Sequence, residues 1–251
     1  SDPRPSGGED SPLYVTVDGA FIMDNGLLGK AGVGTYGLSD IKAAADDLSA
    51  HGDDPTQSAY WPLYKALLDK QVMSSGSPGV GPYFQLKVDG VYLPLQLIGI
   101  CQDTKSDGTG KAGLTFQMRD IYAYDNTRST AAGGGAFNTY MNPTDSSSGG
   151  WASCVGRNTL RTTFWSYLPS EMQAAIVPVN KYQQLPGGTD ASHLQMTTGE
   201  TIWLPSMYEV YGTWFTYSNE AEALSANGNV PFQYMAYEGN AGSDTNVHAI
   251  K

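Results

Sequence analysis

The chain has 251 residues, enough for one large or two modest domains with a buried core, and one elaborated domain is the preferred reading. Only 16% of residues are charged, Gly is abundant at 30 residues and Tyr at 16 outnumbers Phe at 7, a balance favouring loop-rich structure with short strands over helical bundles. The 25 acidic against 14 basic side chains give a net charge of −11, which disfavours nucleic acid and anionic membrane surfaces as partners, and no run of about eighteen apolar residues offers a membrane-inserting helix.

Residues 1–12 lack the apolar core of a signal peptide and read as a flexible linker rich in Pro, Gly and Ser. Leu13 to Val17 alternates as a strand, and Asp18-Gly19 is a turn that folds it against Ala20 to Met23. Ser39 is a cap for a helix whose apolar face is Ile41, Ala44, Ala45 and Leu48, ending before Gly52. A second helix is expected from Trp61 to Lys70 with Pro62 in its first turn, followed by a loop from Ser74 to Pro82.

The central part turns to strands. Tyr83 to Val88 and Val91 to Ile100 flank Asp89-Gly90, the strongest short hairpin signal, and Pro94 belongs at an edge or bulge because it has no N–H for a ladder. A hydrophilic loop from Asp103 to Lys111 precedes a strand from Leu114 to Arg119, and Asp125 to Gly150 is a long Gly-, Ser- and Asn-rich connection. Leu160, Phe164 and Leu168 recur at four-residue spacing, so Val155 to Tyr167 reads as an amphipathic helix with Trp151 and Val155 in its preceding turn. Pro169 starts another helix with Met172, Ala175 and Ile176 on its buried face, ending at Pro178. Ile202 to Leu204 is expected as a strand, and Ser206 and Glu209 stand at capping-box spacing for a short helix after it.

The run from Gly149 to Gly212 opens Gly-Gly-Trp-Ala-Ser-Cys-Val-Gly-Arg and closes Thr-Ile-Trp-Leu-Pro-Ser-Met-Tyr-Glu-Val-Tyr-Gly, with Leu168-Pro169, Val179 and Lys181 between. Upstream stand Leu97-Ile-Gly-Ile-Cys-Gln-Asp103, Lys111-Ala-Gly-Leu-Thr-Phe116 and Tyr140-Met-Asn142. In these blocks and their order the chain resembles a family of uncharacterised bacterial surface and phage-encoded proteins with a C-type-lectin-like, formylglycine-generating-enzyme-like fold. The resemblance is clearest from Leu93 to Tyr237. It implies an α+β fold with two helices, a small twisted mixed or antiparallel sheet and long loops. On that scheme residues 13–92 are an N-terminal hairpin and helices packed on a core formed by residues 93–251. Two departures stand out. Relatives tend to have Asn-His where this chain has Cys101-Gln102, and they continue past the position of Lys251 into a Trp-Trp-Leu-Arg-Ser-Pro strand. The resemblance therefore implies C-terminal strands beyond Lys251, or another segment or a second chain completing the sheet.

Catalytic signals are few. His51, His193 and His248 have no metal-ligand spacing, and there is neither a Gly-x-Ser-x-Gly elbow nor a phosphate-binding loop, so no catalytic residue and no cofactor is assigned. Asp103 and Asp107 before Gly108 look superficially like a calcium loop without meeting the Asp-x-Asp-x-Asp-Gly pattern. Cys101 and Cys154 have two open readings: a disulfide, worth about 4 kcal/mol for a loop of this size, or two free buried thiols. Trp151, Trp165 and Trp203 fall on predicted core faces or strands, which leaves Trp214, with Tyr217 in the same Thr-Trp-Phe-Thr-Tyr loop, as the ligand-contact candidate. Arg157 and Glu209 occupy positions typical of the resembled family. They read either as a structural ion pair or as two solvated charges.

These readings converge on a non-catalytic extracellular binding module, adhesin-like or phage receptor-binding-like, presenting loops on a fixed frame to a glycan or a host or bacterial surface protein. The alternatives are a structural subunit of a cell-surface or virion assembly and, more remotely, a formylglycine-generating-enzyme-like enzyme.

Overall fold

Three antiparallel sheets and a set of short helices make up the computed structural model, an α+β architecture; it describes residues 14–15, 20–23, 34–71, 84–88, 91–118, 148–185, 191–206, 208–209 and 224–225. The first sheet has the order β1 (Tyr14–Val15), β2 (Ala20–Met23), β3 (Gly34–Gly37). The hairpin expected at the N-terminus forms, with Tyr14 opposite Ile22 and Val15 opposite Phe21. The third strand was not foreseen.

β3 runs directly into α1 (Leu38–Ala50), so Ser39 lies inside the helix and does not precede it as a cap. Ile41, Ala44 and Leu48 are buried, as the four-residue spacing requires, and Ala45 is half-buried. After a 3-10 turn at Pro55–Gln57, capped by the Asp54 side chain, α2 (Trp61–Gln71) packs on the second sheet. That sheet has the order β4 (Phe84–Val88), β5 (Val91–Ile100), β6 (Leu114–Met118). Ile41, Ala44 and Leu48 of α1, Tyr64, Leu67 and Leu68 of α2, and Leu97, Ile98 and Ile100 of β5 form one core cluster. Burying each Leu or Ile side chain of this cluster stabilises by about 1.5–3 kcal/mol. Because these helices share the core of β5, the two N-terminal helices and the central strands are packed together.

Pro94 lies within the middle strand of this sheet, opposite Gln85; among the described residues the pairing of β5 with β6 begins one residue later, at Leu95. The bulge in β5 falls further on, between Leu97 and Gly99.

After Gly149, α3 (Gly150–Ser153) leads into α4 (Val155–Thr159), a π-helical stretch at Leu160–Phe164 and α5 (Trp165–Tyr167), the last three forming one continuous helical run. Within it Thr162 Oγ1 donates back to Asn158 O at 2.8 Å, a side-chain bond to the turn above that competes with regular helix. Phe164 and Leu168 are buried and Leu160 packs against them, as the spacing predicts. Val155 does not join them and is 36% exposed. α6 (Ser170–Ala175) follows Pro169, with Met172 and Ile176 packed on the same cluster.

The third sheet is a hairpin, β7 (Val179–Gln184) with β8 (Leu194–Glu200), which the local sequence pattern did not reveal. Ile202 to Leu204, expected as a strand, is not one: Ile202 lies in a bend and Trp203 and Leu204 carry no regular structure. Among the described residues the expected pair of helices is a set of six, most of them short, and all strand pairing is antiparallel. Residues 125–147 of the long connection, the Ser74 to Pro82 loop and the segment after Ser225 lie outside the described residues.

Candidate functional site

The hydrophilic segment from Asp103 to Lys111 is docked, not free. Thr104 bridges to Lys111, Lys105 bridges to Val179, Asn180 N–H donates to Thr104 O at 2.8 Å, and Gly199 N–H donates to Ser106 Oγ at 2.8 Å. It leaves β5 through Cys101, whose φ of 53° lies in the left-handed region. The segment thus lies along the start of β7 and carries Asp103 inward.

β8 has a bulge opposite the Val179 to Lys181 step. Val179 pairs with Glu200 and Lys181 pairs with Thr197, so β8 carries one more residue than β7 over this stretch. Gly199 supplies the bend, with φ at +74°. In a regular strand residues three apart face opposite sides. The bulge instead lets both Thr197, at 5% exposure, and Glu200, at 0%, reach the buried side of the hairpin with Val179 and Lys181.

Lys181 is the centre of the first charged cluster. Its side chain is 1% exposed, and its ammonium donates to Asp103 Oδ1 at 2.7 Å and to Glu209 Oε1. The same nitrogen stands 4.8 Å from the centre of the Trp203 ring, within cation–π range. Both remaining carboxylate oxygens are also held. Thr115 Oγ1 donates to Asp103 Oδ2 at 2.6 Å, and Ser206 N–H donates to Glu209 Oε2 at 2.8 Å. The Glu209 N–H in turn donates to Ser206 Oγ at 3.2 Å, which completes the expected capping box. Burial opposes the charge on Lys181, but Glu209 and Asp103 outweigh it and hold the ammonium above its ordinary pKa. Burial pushes the Glu209 carboxyl up, against the pull of Lys181.

The second cluster stands on the same hairpin face. Arg157 Nε and Nη2 both donate to Glu200 Oε1, at 2.9 and 2.5 Å, and Arg157 Nη1 donates to Ala152 O at 3.1 Å. Arg161 adds a longer contact to the same oxygen at 3.8 Å. Among the described residues Glu200 Oε2, Thr197 Oγ1, Asn180 Oδ1 and Trp151 Nε1 are buried without a hydrogen-bond partner.

The expected site residues are thereby placed. Arg157 and Glu209 do not pair with each other and are not solvated; each is held by a different partner, Glu200 and Lys181 respectively. Neither expectation foresaw this, because both partners lie on a hairpin that the periodicity did not reveal. Asp103 is engaged by Lys181 and Thr115, whereas Asp107 is exposed and accepts from its neighbour Thr109 at 2.9 Å (N–H) and 2.7 Å (Oγ1), so the two aspartates serve separate tasks. Among the described residues no group of three or more His, Cys, Asp and Glu is arranged to hold a metal. Cys101 and Cys154 are free thiols. Cys101 Sγ donates to Leu48 O at 3.2 Å, while Cys154 Sγ accepts from Arg157 N–H at 3.2 Å and caps α4, so the two sulfurs serve different elements and the disulfide is absent. Trp151 is buried, and Trp165 and Trp203 are half-buried against apolar clusters. His51 follows the end of α1 with its Nδ1 2.8 Å from Asp47 O, and His193 sits in a 3-10 turn before β8. Trp214, Tyr217 and His248 lie outside the described residues.

No protein-family model, curated protein or solved structure matches this chain. No described helix is long and apolar enough to cross a membrane. The arrangement is a set of charged groups turned towards one another inside the fold, with an amine, three carboxyls and a guanidinium all drawn below the surface.

Proposed function

We propose that the chain is a non-catalytic extracellular binding module, built on a C-type-lectin-like frame and presenting loops to a glycan or a surface protein. The observation that carries the reading is that the residues of its signature are engaged in the frame itself. Gly149 and Gly150 both have positive φ, at 80° and 57°, Trp151 is buried, and Arg157 closes on Glu200. Leu168 is buried, Pro169 opens α6, Lys181 holds Asp103 and Glu209, and Ser206 with Glu209 caps a helix. A signature of scaffold residues is what a family would share if its loops, and not its core, met the ligand. The left-handed backbone at Cys101 supports the same alignment, since relatives of the resembled family tend to have Asn there and Asn tolerates that region better than most residues.

The test is a glycan and surface-protein array probed with the full chain, repeated with Trp214→Ala and Tyr217→Ala. Specific binding that falls in these variants while the unfolding midpoint stays in place is the expected result. Assembly with copies of itself, without any ligand on the array, points instead to a structural subunit of a larger surface or virion assembly. Turnover of a substrate by the purified chain overturns the reading.

A further inference from the structure

We propose that Lys181 and Asp103 join through an intramolecular amide bond between Nζ and Cγ, formed by the chain itself with Glu209 as the proton carrier and one water released. Three observations place the reactants. The Lys181 nitrogen is 2.7 Å from Asp103 Oδ1, next to the carbon it would attack. It also touches Glu209 Oε1, so a proton acceptor is in direct contact with the nucleophile. All three residues are nearly sealed, at 1% for Lys181, 7% for Asp103 and 2% for Glu209, and Trp203 lies beside the amine.

The step balances within these residues. Against the pull of the two carboxylates that favours the ammonium, Lys181 Nζ passes one proton to the Asp103 carboxylate, and the small fraction with a free amine beside a carboxylic acid is the reacting form. The nitrogen lone pair attacks Asp103 Cγ and makes a tetrahedral centre. Glu209 Oε1 takes the proton shed by the new C–N linkage and returns it to the departing hydroxyl, which leaves as water. One C–N bond forms and one C–O bond breaks; nothing is oxidised or reduced, and Glu209 ends in the protonation state in which it began. The Ser206 N–H at 2.8 Å continues to hold the Glu209 carboxylate, and the Thr115 hydroxyl at 2.6 Å from Asp103 Oδ2 is in place to donate to the oxygen that becomes negative at the tetrahedral centre.

In open water an ammonium and a carboxylate do not condense. Here the pair is already positioned, and intramolecular reactions between well-oriented groups reach effective molarities of roughly 10⁵–10⁸ M. The reaction also replaces the buried charges of Lys181 and Asp103 by a neutral amide, and Glu209, left without its cation, is held by Ser206 N–H in a site where burial pushes its carboxyl towards the protonated form. The surrounding side chains exclude the water that would reverse it. Residues 78 apart in sequence would then be covalently closed, tying the exit of β5 to β7.

Intact-mass measurement of the full, folded chain reads the result directly. The expected mass is lower than the sequence mass by one water, with no tryptic cut after Lys181 and a branched peptide that joins the Asp103 and Lys181 fragments. Lys181→Ala and Glu209→Gln restore the sequence mass, and Asp103→Asn loses ammonia in place of water. An unmodified mass in a sample that unfolds cooperatively overturns the proposal. So does a water loss that persists in Lys181→Ala and maps to Asp89-Gly90 or Asp107-Gly108, where aspartate cyclises on the next amide with the same change in mass. The branched peptide from the unaltered chain decides the matter even if the variants fail to fold.

Discussion

Arg157 reaches Glu200 with two nitrogens on one oxygen, Nε at 2.9 Å and Nη2 at 2.5 Å, joining α4 to the end of β8. Glu200 is fully buried and Arg157 only partly, so the carboxylate depends on the guanidinium more than the reverse. Arg157→Ala is expected to destabilise by about 3–5 kcal/mol, because it strands a buried charge. Arg157→Lys recovers only part of this, since one ammonium cannot serve both Glu200 Oε1 and Ala152 O with the planar fork's geometry. Urea unfolding of the two variants beside the parent chain checks the order; equal stability of all three overturns it.

Gly199→Ala tests the bulge. An added Cβ meets nothing closer than Arg161 Nη2 at 3.7 Å, so the cost is conformational and not steric. A left-handed residue other than Gly costs about 1–2 kcal/mol, and Gly199→Asn should cost less than Gly199→Ala. Thermal unfolding that ranks Ala as stable as Gly would show that β8 can straighten without loss.

The Ser206 and Glu209 capping box gives a separable expectation. Ser206→Ala removes the acceptor for the Glu209 N–H and should cost about 0.5–2 kcal/mol. Ser206→Thr keeps an oxygen and should cost less. The midpoint of chemical denaturation distinguishes them, and a Thr variant weaker than Ala would point to overpacking at a site only 5% exposed.

Thiol chemistry reports on Cys101. Burial pushes its thiol up to about 11, partly offset by Lys111. Alkylation of the native chain by iodoacetamide should therefore be slow at neutral pH and rise steeply towards pH 11, with two thiols reacting once the chain is unfolded. Because the folded value is raised above the ordinary 9.0, Cys101 contributes stability below that pH and the contribution is lost as pH climbs from 9.0 to about 11. Cys101→Ser should flatten that part of the stability curve. Rapid alkylation at pH 7 would contradict the burial.

Local pattern made a good part of the fold legible. The helices at Leu38–Ala50 and Trp61–Gln71 follow from four-residue apolar spacing and from Pro62 in a first turn. The hairpin of β4 and β5 follows from Asp89-Gly90, and the cap at Ser206 follows from its spacing to Glu209. The β7–β8 hairpin escaped because its buried face carries Lys181, Thr197 and Glu200, where apolar residues are the usual signal. The alternation Val179-x-Lys181 is a strand pattern only if a lysine is allowed inside.

Composition and periodicity, which depend on neighbours in the chain, were enough to determine an α+β protein, its early helices and its central hairpin. Asp103, Lys181 and Glu209 were each visible as residues, but nothing local makes them partners. Charge attraction acts across space, so its partners depend on which strands pair and in what register. A one-residue bulge at Gly199 turns Glu200 inward, and a docked loop brings Asp103 under Lys181. Only the tertiary structure decided that the buried charges of this chain meet one another.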